Sequence, residues 1–183
     1  MIFARLIALW GIAAADFDYR GRPTYEGIIS FYQQDAVIYL LKRSYVVKVN
    51  GEHPTCVYNK VKISYRIGFT LEQGYTTSHG NVKYDVDAKS NLETKMNFAP
   101  IITTFRLDNK NITRKYHFHF YDPVAQCAVL TFTDYSGTVR CELHTWKKFA
   151  SYKYYGNCQE EYDYQCPGRE SHSVYLGYCP HIR

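Results

Sequence analysis

Residues 113–147 read TRKYHFHFYDPVAQCAVLTFTDYSGTVRCELHTWK. Three runs of β-branched and aromatic residues, 113–121, 125–133 and 138–147, stand out in this stretch, and Ser136-Gly137 supplies a turn. In the first run Tyr116, Phe118 and Phe120 alternate with His117, His119 and Tyr121. In the last, alternation puts Glu142, His144 and Trp146 on one face and Val139, Cys141 and Leu143 on the other. The same texture extends back toward the amino terminus through 36–49, 55–67, 68–76, 81–88, 92–98 and 101–107. Asn50-Gly51, Gln73-Gly74, His79-Gly80-Asn81, Lys89-Ser90-Asn91 and Asp108-Asn109-Lys110 provide the expected turns. Eight or so strands joined in chain order close most economically as an antiparallel up-and-down barrel, so the expected class is mainly β.

Two helices flank the strands. Tyr25, Ile28, Ile29 and Tyr32 form one apolar face behind Pro23-Thr24, predicting a short helix within 24–34. Asn157 followed by Glu160 has capping-box spacing, and Pro167-Gly168 ends the segment, predicting a helix over 158–166. Cys158, Tyr162 and Cys166 share one face of it, so both ends would be pinned to the barrel. Ser173 to Cys179 reads as an extended tail held by its last cysteine. Helix, barrel, helix and tethered tail is a lipocalin-like order. The 183 residues, 46% apolar or aromatic and 17% aromatic, suit one globular domain that removes roughly 70% of its unfolded surface from water and exclude disorder. A net charge of +5 is spread along the chain and forms no nucleic-acid stripe.

Arg5, the apolar run Leu6 to Ile12 and Ala13-Ala14-Ala15 have the layout of a signal peptide, giving 1–15 as leader and 16–183 as a single secreted domain. The apolar run is too short to span ~30 Å of hydrocarbon. Six cysteines, Cys56, Cys127, Cys141, Cys158, Cys166 and Cys179, then imply three disulfides whose pairing the spacing leaves open. Asn111-Ile112-Thr113 is a glycosylation sequon, so Asn111 should be exposed. Zinc would need closer cysteine pairs, and His117 with His119 offers two metal ligands where three or four are required. The sequence carries no Gly-x-Ser-x-Gly elbow, phosphate-cradling glycine loop or paired-His zinc helix, so neither catalysis nor a cofactor is expected.

Val37-Ile38-Tyr39-Leu40-Leu41, Pro54-Thr55-Cys56-Val57, Cys127-Ala128-Val129-Leu130, Glu142-Leu143, Cys158 and Cys179 together resemble the tick salivary lipocalins of the histamine-binding family, over essentially the whole mature chain. The resemblance implies pairing of Cys56 with Cys179, Cys127 with Cys158 and Cys141 with Cys166. It also implies a role: sequestering histamine or a related host amine, in evasion of the host's inflammatory response. Amine binders of the family show Cys, Asp and an aliphatic residue, then Glu-Leu and an aromatic. Here Ala128 replaces the acid and His144 the aromatic, while Gln33 and Lys48 fall roughly where amine binders place acids.

An amine site needs a carboxylate for the ammonium and aromatic faces for ring and charge. If Cys141 bonds the outer helix, Glu142 and Trp146 point into the lumen. A carboxylate there demands a cationic ligand, an internal base such as His144, or water. An internal Glu142–His144 or Glu142–Arg contact with no amine bound is an equally weighted reading. The expected ligand-binding set is Glu142, His144, Trp146, Tyr39, Phe98 and Phe118, with Phe69 and Met96 as further lumen candidates. The loss of acid at Ala128 favours an apolar lipid mediator as the alternative. Tyr152, Tyr154, Tyr155, Tyr162 and Tyr164 would suit a third reading, a surface that inhibits a host plasma protein. The expected partner is a small-molecule ligand, with no nucleic acid and no membrane, bound by a monomer.

Overall fold

The computed structural model describes residues 23–91, 99–151, 155–179 and 182. The strand runs become β1 (Val37–Arg43), β2 (Thr55–Tyr65), β3 (Gly68–Thr77), β4 (Gly80–Asn91), β5 (Ile101–Arg106), β6 (Thr113–Asp122), β7 (Cys127–Thr133) and β8 (Val139–Trp146), with a short β9 (His172–Ser173) in the tail. From β2 to β8 each strand pairs antiparallel with the next; β8 pairs with β1, and β1 returns to β2. The result is the expected closed barrel of eight antiparallel strands. Its seam is short: Val37 to Tyr39 pair with β2, whereas Lys42 and Arg43 pair with β9. The tail therefore completes the wall where β2 has diverged. The run at 92–98 and the leader at 1–15 lie outside the described residues.

Alternation along the strands sorts apolar side chains into two cores. Ile38, Val61, Phe69, Leu71, Val86, Ile102, Phe118 and Leu130 meet inside the barrel with Phe31 and Tyr32 from α1 (Tyr25–Phe31). Tyr39, Leu41, Phe120, Val129 and Leu143 face outward and are covered by Tyr155, Cys158 and Tyr162 at α2 (Asn157–Gln165). Thr24 caps α1, its hydroxyl oxygen accepting from the Gly27 N–H at 3.0 Å. The helix ends earlier than its apolar spacing suggests because Tyr32 leaves helical geometry to stack on Phe69, with ring centroids 4.1 Å apart. Trp146 Nε1–H donates to the Phe31 carbonyl at 2.9 Å, so α1 is fastened across one end of the barrel.

Disulfides join Cys56 to Cys179, Cys127 to Cys158 and Cys141 to Cys166, the pairs the resemblance implies. Two of them fix α2 to β7 and β8; the third fixes the tail to β2.

Several local expectations change. Asn157 lies inside α2 instead of capping it: Gly156, at φ 49°, is the cap residue, in a backbone conformation that favours glycine. Gln73-Gly74 is no turn but the interior of β3, where the Tyr58 ring lies so close that a Cβ on residue 74 would sit 2.3 Å from it. Lys89-Ser90-Asn91 likewise continues β4. β1 stops at Arg43 and does not run to Val49, because the Ser44 N–H donates to the Cys141 carbonyl at 3.0 Å and its hydroxyl accepts from the Cys141 N–H at 2.8 Å. The chain then leaves the sheet as a loop over the open end, reversing at Asn50-Gly51, both at positive φ.

Candidate ligand-binding site

Above the α1 plug the barrel holds a cavity of about 160 Å³. Tyr32, Phe69, Leu71, Val86, Ile102 and Leu130 make it apolar at depth, and two polar groups of side chains stand over that floor. On β2 to β5, Gln73 Nε2 donates to Asn59 Oδ1 at 2.9 Å and the Tyr84 hydroxyl donates to Gln73 Oε1 at 2.6 Å. The Arg106 guanidinium lies 4.0 Å above the Tyr84 ring, and its Nε–H donates to Asp108 at 2.9 Å, so its charge is matched.

The second group centres on Glu142, the one carboxylate among the described lining residues. β8 aims it inward, since Cys141 and Leu143 on either side face α2. Glu142 is 4% exposed. Oε2 lies 2.9 Å from His144 Nε2, two residues along the same face. A carboxylate only accepts, so Nε2–H donates to it; the second ring nitrogen, Nδ1, is buried without a hydrogen-bond partner. The Tyr45 hydroxyl donates to Oε1, and Arg114 Nη1 lies 4.0 Å from the same oxygen. Burial pushes the Glu142 carboxyl up, but the hydrogen bond and charge of His144, the charge of Arg114 and the Tyr45 hydroxyl outweigh it and hold the group below the usual carboxylate range. Burial, followed by the Glu142 charge, raises the Tyr45 hydroxyl well above its ordinary value and keeps it a donor. The internal contacts of Glu142, to His144 and to an arginine, are thus both present.

A sequence profile described as Tick histamine binding protein matches residues 24–181. The chain belongs to this family of tick lipocalins. Among curated proteins none matches it in sequence. Solved structures show the fold. AM182 in complex with serotonin is similar at a TM-score of 0.61 and 17% identity, over 87% of this chain and 95% of that one. Japanin from Rhipicephalus appendiculatus, bound to cholesterol, is similar at 0.57 and 14%, over 79% and 95%. The siderocalin Ex-FABP is similar at 0.50 and 9%, over 81% and 95%.

The tick lipocalin barrel brings together some of the residues singled out in the sequence and separates others. Glu142 and His144 line the cavity. Phe118 packs beneath it against Phe31, ring centroids 5.9 Å apart, and Trp146 serves the α1 closure; neither belongs to the lining. Tyr39 faces outward, correcting its expected place in the lumen: Ile38 takes the inward position, and Tyr39 packs edge-on against Tyr175 at 5.0 Å. Phe98 and Met96 lie outside the described residues. Asn111 is exposed in the turn between β5 and β6, beside the lining residue Ile112. His117 and His119 sit 6.0 Å apart, and among the described residues no group of three or more metal-ligating side chains forms. Of the carboxy-terminal tyrosines, Tyr155 and Tyr162 are buried and Tyr164 is exposed, while Tyr152 and Tyr154 lie outside the described residues. No described helix is long and apolar enough to cross a membrane.

The sequence reading passed over Tyr45 and Arg114. Tyr45 sits in a run that reads as unbroken strand, and Arg114 opens a strand where a charged residue reads as solvated. Their signal is tertiary.

Proposed function

We propose that this chain is a secreted, non-catalytic lipocalin that sequesters a small cationic amine such as histamine. One observation carries the reading: a buried carboxylate, Glu142, stands alone among the described lining residues beside aromatic rings, in a cavity with room for one ring system. Cavities of roughly 150 Å³ admit a benzene-sized guest. The ligand's ring would lie over Phe69 and Tyr32 and its ammonium would reach Glu142. The unpartnered Nδ1 of His144 is a second polar atom beside that carboxylate, which supports a guest that brings a polar group to it. The family's name and the serotonin complex of AM182 support the same class. Such a protein acts by occupancy, so its capacity is its molar concentration and a slow off-rate matters more than any turnover.

Calorimetric titration of the oxidised domain with histamine and serotonin tests this. Stoichiometric binding is expected, and Glu142→Gln should weaken it by about 2–5 kcal/mol, as truncating one member of a buried charge pair does. An unchanged affinity would remove Glu142 as the partner. A second reading, an amphipathic lipid, is favoured by the apolar floor with Arg106 and Arg114 above it, and by the cholesterol complex of japanin. Binding of oleate with no heat from either amine would put that reading first.

A further inference from the structure

Arg114, the second residue of β6, extends into a box of aromatic rings. Its guanidinium carbon lies 4.2 Å from the Phe132 ring centroid and 5.8 Å from that of Tyr116, and Nη1 donates to the Tyr116 hydroxyl at 3.2 Å. Tyr45 closes the third side, standing edge-on to Phe132 at 5.2 Å, and Tyr116 meets the same ring at 5.5 Å. Glu142 Oε1 supplies the counter-charge, 4.0 Å from Nη1. Three aromatic rings around a carboxylate are the parts of a site for an organic cation. Here the protein's own guanidinium stands in it.

We propose that Arg114 is a built-in occupant of a cation cage formed by Tyr45, Tyr116, Phe132 and Glu142, and that it sets the affinity for an amine by competing for Glu142. The inference rests on the amine reading and adds that the site is self-filled. The Arg114 side chain is 45% exposed and that of Glu142 only 5%, so the cation can swing into the mouth while the carboxylate cannot follow. The exchange favours a guest that donates directly, because Nη1 at 4.0 Å is beyond hydrogen-bond range of Oε1. Glu142 keeps other partners throughout, His144 Nε2 on Oε2 at 2.9 Å and the Tyr45 hydroxyl on Oε1, and Arg43 in turn lies 5.5 Å from the centroid of the Tyr45 ring.

The test compares the oxidised wild-type chain with Arg114→Ala, titrated with histamine and with ethylguanidinium, which restores the deleted group as a free cation. Arg114→Ala should bind histamine at least tenfold more tightly than wild type and take up ethylguanidinium at millimolar concentration, where wild type does not. Adding Glu142→Gln should abolish both gains. Arg114→Met, which keeps an apolar stem over Phe132, should reproduce them if the alanine variant folds poorly. Equal histamine affinity in wild type and variants, with no uptake of ethylguanidinium, would overturn the cage and leave the amine reading standing. Glu142-dependent uptake of ethylguanidinium with no histamine binding in any protein would do the reverse.

Discussion

A half-buried histidine and a buried carboxylate give this protein an acid limb in two stages. His119 is pushed down to about 4, by burial first and then by the charge of His117. The unfolded histidine titrates near ~6.5, so the unfolded chain takes the proton first; stability is complete above that value and falls as pH drops toward about 4. Glu142 is also held down, but as an acid: its contribution is complete above the unfolded value of about 4.3 and is lost as pH falls through the lower folded value. Thermal melts from pH 7 to 3 should show both stages. His119→Gln should remove the upper one, and Glu142→Gln the lower one while costing about 2 kcal/mol at neutral pH through the polar partners it leaves poorly matched. If both variants followed the wild-type curve, the acid limb would belong to other groups. Alternation placed Glu142 and His144 on one face of the strand, and the bond from Cys141 to the outer helix is what turns that face inward. Alternation failed for Tyr39, because a strand assigned without its register offers two opposite faces with equal right.

At the scale of the element, close contacts between strands decide what the hairpins accept. Gly68 opens β3 opposite Lys89, and a Cβ there would lie 2.1 Å from the Ala88 carbonyl oxygen. Backbone cannot yield as the end of a side chain can, so Gly68→Ala should pull β3 from β4 and cost about 2–3 kcal/mol. Urea unfolding measures this; a midpoint within error of wild type would mean that the hairpin relaxes freely. Strand identity was readable here because β-branched and aromatic runs persist between turn residues. Strand ends were not. β1 stops at Arg43 because Ser44 bonds to Cys141, a residue 97 positions away in sequence. That early exit frees Tyr45 to fold over Glu142, so the boundary the sequence misjudged is the one that shapes the site.

For the whole molecule, the disulfides differ in how much of the unfolded chain they restrain. Cys56 and Cys179 are 123 positions apart, against 31 for Cys127–Cys158 and 25 for Cys141–Cys166. On chain entropy the first is worth about 5 kcal/mol and the others about 3.5 kcal/mol each. Replacing each pair by alanine and unfolding in guanidinium should rank the variants in that order, with Cys56→Ala/Cys179→Ala the least stable. A reversed order would show that the contacts of α2 with the barrel outweigh loop entropy. The same bridge holds the tail that pairs with Lys42 and Arg43, so its loss should also loosen the barrel seam.

The sequence by itself determined the class of fold, the eight-stranded wall, the two flanking helices and the grouping of Glu142 with His144 on one strand face, because all of these follow from local pattern: period-two alternation, turn residues and apolar helical spacing. It also carried the family, through cysteines spaced around a Glu-Leu pair. Only the tertiary structure decided what surrounds Glu142. Tyr45, Arg114, Tyr116 and Phe132 come from a loop and two strands, and no periodicity links a loop to the carboxylate 97 residues away that it covers. The charge state and accessibility of the site depend on those distances, and distances between remote segments are set by barrel closure.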